Sequence, residues 1–243
     1  MDGRVNIGLA VTVIILTIFS FFVSMIFMIP VAYSMINSQA YGNGIETFSY
    51  YFSGFSYYYF VTIVLGMIIA ILEIILFKQW MNVLNRNILN TQRMLSNVRT
   101  EDISVKSEIE TASVELRNEM IPNWAFWGFI ISYLAMLGLS FLGSMVLLFG
   151  LISFIFFLIY LHQIFTTSHD LYKIKARVYS YLKNMKGLPS VEEVTSVPRR
   201  NIFLVVLLTI ITIGIYWFYL IVKLSVEINE YVKSDELARI KLT

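Results

Sequence analysis

No charged residue lies between Arg200 and Lys223. The intervening stretch is apolar and aromatic, and long enough to cross ~30 Å of hydrocarbon at a rise of ~1.5 Å per residue. Similar runs occupy Ile7 to Met35, Tyr58 to Phe77 and Asn123 to Ile164, the last about two spans long. In lipid every backbone polar group has to be satisfied within its own segment, and the helix is the local way to do this. These runs therefore restrict the chain to an all-α, polytopic transmembrane protein with about five spans. Composition agrees: 58% of residues are hydrophobic and 14% charged, where soluble domains hold roughly a quarter charged. The net charge of +2 gives no reason to expect nucleic acid as a partner. The absence of cysteine excludes disulfides, thiolate metal sites and cysteine nucleophiles.

The first run exceeds the ~7–15 apolar residues of a signal peptide, which argues against cleavage near Ser38-Gln39-Ala40. Asn37 to Tyr57 contains no Lys or Arg and is rich in Tyr and Phe, which predicts an external aromatic loop at headgroup level. Past Phe77 the second span continues into a polar region without a breaker. There Met81, Leu84, Ile88, Thr91, Leu95 and Val98 form a heptad-like stripe. The pattern resets near Thr100 to Asp102, and Val105, Ile109, Ala112 and Leu116 form a second stripe. The spacing predicts a water-exposed antiparallel helical hairpin. Its basic residues, Arg86, Arg93, Arg99, Lys106 and Arg117, place it and the N terminus in the cytoplasm. Each stripe is narrow, so Leu84, Ile88, Leu95, Ile109 and Leu116 are candidate interaction residues.

Asn123 to Ile164 predicts a transmembrane hairpin turning near Gly143, with Gly128, Ser132 and Ala135 as a small face for close packing. Phe165 to Lys186 then becomes amphipathic, with Ile174, Val178, Tyr181 and Met185 as its apolar stripe. The final run admits two readings. Its length favours one complete span, while the basic residues of the tail, Lys223, Lys233, Arg239 and Lys241, favour a re-entrant hairpin turning at Gly214 with both ends inside. Length is given the greater weight. The expected organisation is then 1–80, two transmembrane helices with the external loop; 81–121, the cytoplasmic hairpin; and 122–165, the transmembrane hairpin. A cytoplasmic helix and linker (166–200), the last membrane segment (201–223) and an amphipathic tail (224–243) follow.

Three segments share a plan: an apolar helix opening at Leu65-Gly66, Phe149-Gly150 or Ile213-Gly214, each followed by a polar helix, as a degenerate threefold repeat would be. In the third, Arg199, Arg200, Thr212, Gly214, Ile215, Tyr216, Tyr219, Lys223, Ile228, Asn229 and Glu230 follow a pattern. It consists of a basic start, a Thr-x-Gly-Ile-Tyr core, aromatics, a Lys and an Asn-Glu ending. This stretch, about residues 199–230, resembles a family of uncharacterised prokaryotic integral membrane proteins, a domain of unknown function. Leu220 stands where that family usually has Trp, and Trp217 where it has a small residue. The resemblance implies a prokaryotic membrane protein and no chemistry.

Glu73 is the one acid within an apolar span and so a candidate polar site. Its nearness to Lys78 gives it a bland alternative at the interface. His162 and His169 lie ~10.5 Å apart along a helix, too far to share a metal at Zn–N distances of ~2.0–2.1 Å. No phosphate loop, nucleophile elbow or aspartate pair occurs, and no cofactor is expected. The expected function is a non-enzymatic membrane scaffold or accessory subunit, embedded in lipid and assembling with itself or a membrane-protein partner. The alternative is a transporter or channel for a small solute, ion or lipid, with Glu73 and the Gly214 break at its site.

Overall fold

The structure, a computed structural model, describes residues 2–41, 44–138, 144–186 and 194–242. Within these, side chains are described outside 27–28, 30–59, 138, 144–145 and 186. Seven helices and no strand occur among the described residues: α1 (Ile7–Tyr41), α2 (Gly44–Ser96), α3 (Ile103–Asn118), α4 (Asn123–Gly138), α5 (Ser144–Lys186), α6 (Ile202–Ile211) and α7 (Ile215–Leu242). Among the described residues, four stretches are long and apolar enough to cross a membrane: Ile7–Ile26, Phe60–Ser96, Ile103–Leu137 and Val146–Met185. The apolar part of the third falls in α4. The chain is thus a multi-pass, all-helical membrane protein. The stretch read as an external loop is helical backbone instead, because α1 runs to Tyr41 and α2 starts at Gly44. Its aromatic side chains, and the turn expected near Gly143, lie outside the described residues.

The chain divides into two units, Gly8–Leu76 and Met1–Ile7 with Phe77–Thr243. In the first, Thr12, Thr17 and Ser24 return their hydroxyls to carbonyls one turn back, at 2.8 Å each. Apolar side chains such as Phe21, Phe22 and Ile26 are exposed, as lipid-facing positions are.

The second unit is built on three parallel helices. At one level Phe77 of α2 packs on Phe157 of α5 and Trp217 of α7, with ring centroids 5.5 and 6.1 Å away. Further along, the Trp80 indole donates to Ser225 Oγ at 2.9 Å. Asn87, Lys175 and Asp235 then meet. These are the three segments that share a plan in the sequence, although Gly66 and Gly150 sit inside unbroken helices and only Gly214 interrupts one. At 53 and 43 residues, α2 and α5 measure ~80 and ~65 Å at the helical rise. That is more than twice the hydrocarbon thickness, so their polar ends project as a bundle.

Helix α3 closes one side of this bundle. Asp102 caps it by accepting from the Ser104 and Val105 amides. It runs antiparallel to α2, as reciprocal bonds between Asn85 and Ile121 (2.9 and 3.0 Å) and one from Gln92 to the Ser113 carbonyl (3.0 Å) show. Leu84, Ile88, Leu95 and Leu116 are completely or almost completely buried, and Ile109 is half-buried. The stripe read as an interaction surface is therefore the core of this chain's own bundle. In the polar half of α5, Leu171, Ile174, Lys175, Val178 and Leu182 are among the buried positions, whereas Tyr181 and Met185 face outward.

The small face of α4 is also used internally. Gly128 lies against Phe156 so closely that an added Cβ would come within 2.6 Å of its ring. Ser132 bonds back to the Gly128 carbonyl at 2.6 Å, and Ser153 of α5 reaches the Phe129 carbonyl at 3.4 Å. Small residues let helices approach where lipid offers no hydrophobic drive between them. Gly128→Ala should therefore cost about 1–3 kcal/mol of stability through overpacking. Phe156→Leu in the same chain should recover part of that loss. Thermal unfolding of the four chains in one detergent reads the coupling as a double-mutant cycle.

Candidate functional site: a buried charge cluster and a broken hairpin

Where α2, α5 and α7 are packed side by side, four charged groups are removed from water. Asp2, Lys175 and Asp235 have no exposed surface, and the Arg239 side chain keeps 12%. Lys175 Nζ lies 2.9 Å from Asp235 Oδ2 and donates to Asn87 Oδ1 at 2.5 Å. Arg239 Nε donates to the same Asp235 oxygen at 2.9 Å, and its Nη2 pairs with Asp2. Asn87 Nδ2 lies 2.7 Å from a carboxylate oxygen of each aspartate. Tyr179 donates to Asp235 Oδ1 at 2.8 Å, and Asn90 donates to Asp2. Two carboxylates thus face two cations, and the cluster is formally neutral. Isolated buried charges are prohibitive, and geometry plus added hydrogen bonds are what make such pairs tolerable.

Burial alone would raise the Asp235 carboxyl, but the charges of Lys175 and Arg239, with hydrogen bonds from Lys175 and Tyr179, outweigh it and hold it below its usual value. Burial lowers the Lys175 ammonium to about 8 against the opposing pull of Asp235. Both groups are therefore charged at neutral pH. The Tyr231 ring lies 5.4 Å from Lys175 Nζ. Its hydroxyl is buried without a hydrogen-bond partner among the described residues.

The cluster holds a non-helical N-terminal segment in place. Asn229 accepts from the Val5 amide at 2.8 Å and donates to the Val5 carbonyl at 2.9 Å. Arg4 pairs with Glu236 at 2.8 Å, and the Asn6 amide donates to Gln79 at 2.8 Å. The amide of Asn229 thus replaces a neighbouring strand for one residue, which satisfies a backbone segment that forms no helix.

The second feature is the break in the last apolar run. Helix α6 has 10 residues and is capped at its C-terminal end by Thr212. Ile213 and Gly214 then adopt positive φ, 51° and 86°. An added Cβ at Gly214 would meet nothing within 4 Å, so glycine is required there for its backbone angle and not for space. Thr212 works in both directions: its hydroxyl donates to the Leu208 carbonyl at 2.7 Å and accepts from the Tyr216 amide at 2.9 Å. The chain reverses, and Arg200 Nη2 reaches Glu227 Oε2 at 2.5 Å. Residues thirteen positions on each side of the turn thus meet. The reading of 201–223 as one span is corrected here: length allowed it, but the left-handed pair at the turn sends the chain back. Of the other motif residues, Lys223 lies 3.7 Å from Glu227, and the Tyr216 and Tyr219 rings are 6.0 Å apart.

Glu73 belongs to the Gly8–Leu76 unit, and the cluster is built from residues of the other. His162 is exposed, and His169 Nδ1 bonds the Val197 carbonyl at 3.0 Å, tying α5 to the segment before α6. No group of His, Asp and Glu among the described residues is arranged to hold a metal. Sequence reading missed the cluster. Lys175 within the apolar set Leu171, Val178 and Leu182, and Asp235 within Ile228, Val232, Ala238 and Leu242, were the available signals.

Lys175→Met should cost about 3–5 kcal/mol, because it removes a counter-ion from a buried carboxylate. Lys175→Met with Asp235→Leu should recover part of this, since Arg239 retains Asp2. Chemical unfolding followed by tryptophan fluorescence measures both. Because the folded Asp235 carboxyl is held below its ordinary value by Lys175 and Arg239, the unfolded chain binds its proton first as pH falls. Its contribution is therefore present above the ordinary carboxylate value and lost as pH falls through the lower folded value. Thermal unfolding from pH 6 to pH 2 should show this loss, and Asp235→Asn should flatten that part of the profile.

Residues 200–241 match the model of a protein family described as a domain of unknown function, DUF4234. The match takes in the hairpin, the Arg200–Glu227 pair, Asn229 and the cluster residues Asp235 and Arg239. No curated protein and no solved structure matches the chain.

Proposed function

We propose that this chain is a non-enzymatic scaffold or accessory subunit of a prokaryotic cell membrane, assembling with itself or with another membrane protein. The observation that carries the reading is where the polar chemistry lies. The buried charges cancel one another in the bundle, and the span hydroxyls of Thr12, Thr17, Ser24, Ser132 and Thr209 are bonded to carbonyls of their own helices. The charges hold the bundle together, and the hydroxyls are satisfied within their own helices. The bundle, with Arg86, Arg93, Arg99, Lys106, Arg117, Lys173, Arg177 and Lys183, is the cytoplasmic face by the positive-inside rule, and the N-terminal segment lies with it. Both stripes read as assembly surfaces are occupied within the chain, so a partner binds the outer faces of the bundle or the lipid-facing surface of the spans.

The Gly214 break favours a second reading, transport, because interrupted helices line transport sites. Against it, the break is surrounded by exposed apolar side chains, with Ile213 at 93% exposure. Purification of the full chain from its own membranes in mild detergent tests the proposal. A defined homo-oligomer or a stoichiometric partner is expected. A lone monomer that carries solute into liposomes, with the flux abolished by Glu73→Gln, would overturn it.

A further inference from the structure

We infer that the α6–α7 hairpin inserts into a single leaflet, the one adjoining the helical bundle, and that its partner is the acyl chains of that leaflet. The inference rests on the multi-pass character of the chain and not on the scaffold reading.

Depth is the first argument. Helices α5 and α7 keep one register along their length: Phe157 packs on Trp217, with centroids 5.4 Å apart, and Lys175 pairs with Asp235. Both pairs are sixty positions apart in the chain, so the turn at Gly214 lies level with Phe154. The apolar part of α5, Ser144 to Ile164, measures ~31 Å at the helical rise, and Phe154 is at its midpoint. Helix α6, at 10 residues, is ~15 Å long, half the hydrocarbon thickness. Register and length agree on the middle of the membrane.

The turn is also built for a place without water. A backbone turn in lipid has to satisfy its own amides. The amides of Thr212, Ile213, Gly214 and Ile215 donate to the carbonyls of Leu208, Ile210, Thr209 and Thr212, at 2.8–3.1 Å. That of Tyr216 donates to the Thr212 hydroxyl, and those of Trp217 and Phe218 to the Gly214 carbonyl. Each amide from 212 to 218 therefore has a partner within the hairpin. Outward of this lie Phe203, Ile210, Ile211, Ile213 and Ile215, all largely exposed.

The base has the opposite character. Glu227 sits between Arg200 and Lys223, at 2.5 and 3.7 Å, and Arg199 beside them is exposed. Three cations against one carboxylate leave a positive base at the level of the lipid phosphates, with the apolar tip one half-bilayer deeper.

The chain contains no cysteine, so single-cysteine variants of the full protein report directly. In sealed membrane vesicles, Ser196→Cys and Lys233→Cys should react with an impermeant maleimide from the same side. Ile213→Cys should lose that reactivity from both sides. A nitroxide at 213 should collide with oxygen and be shielded from a nickel chelate. Ile210→Cys, on the helical limb, serves the same purpose if the turn variant fails to accumulate. Labelling of Ser196→Cys and Lys233→Cys from opposite sides would overturn the inference in favour of a complete span. Labelling of Ile213→Cys and Ile210→Cys as readily as Ser196→Cys would overturn it in favour of a hairpin in water.

Discussion

The neutrality of four buried charges determines how the chain threads the membrane. Asp2 is bonded to Arg239, and Asp235 to Lys175. These residues belong to the N-terminal segment, α7 and α5, and Asn87 of α2 lies between them. An aspartate cannot pair with an arginine across ~30 Å of hydrocarbon. The N-terminal segment and the polar ends of α2, α5 and α7 must therefore emerge on one side. The stretches long and apolar enough to cross a membrane among the described residues number four, and an even number of crossings satisfies that condition. A fifth complete crossing between Arg200 and Lys223 would carry Asp235 and Arg239 to the other side, leaving Lys175 and Asp2 buried without counter-ions. The turn at Gly214 and the charge cluster are thus two consequences of one constraint.

Much of the fold was legible because it follows periodic patterns. Apolar runs identified the spans, and the heptad-like stripe from Met81 to Leu116 identified an antiparallel hairpin that the structure contains. What that stripe could not reveal was its partner. A narrow apolar face looks the same whether it meets another chain or, as here, the flanks of α5 and α7. The charge cluster was illegible for a different reason. Its members stand at positions 2, 87, 175, 235 and 239, and charged residues on amphipathic helices usually face water. Only the company of Lys175 and Asp235, each within an otherwise apolar set, separated them from surface residues. At the final run, two sequence signals conflicted. Length was the weaker one, because it records what an uninterrupted helix could span and not whether the helix is interrupted. Gly214 carried that information, as did the basic tail.

The match over residues 200–241 gains a physical meaning from this arrangement. Taken alone, the segment is a short apolar hairpin followed by an amphipathic helix with an acid on its buried face. Asn229 needs the Val5 backbone, and Asp235 needs Lys175, both supplied by parts of the chain outside the matched segment. The motif residues divide accordingly. Thr212 and Gly214 build the turn from within, whereas Asn229 and Asp235 are attachment points for other elements. The segment therefore brings its own reversal and relies on the rest of the chain for the other half of its polar contacts.

The strain at the turn fits this division. Ile213 is β-branched, holds φ at 51° and is almost fully exposed. A left-handed residue of this kind costs about 1–2 kcal/mol, and nothing packs on it to hold it there. The restraint comes instead from the two limbs. The Arg200–Glu227 pair closes the base, Trp217 packs on Phe157 and Phe77, and α7 is anchored through Asp235 and Arg239 far from the turn. In water a different rotation about Ile213 would release the strain at the expense of amides that solvent could satisfy. In lipid those same amides would have no substitute partner. The environment that accepts the exposed isoleucines is thus also the one that makes the strained, fully bonded turn the stable choice.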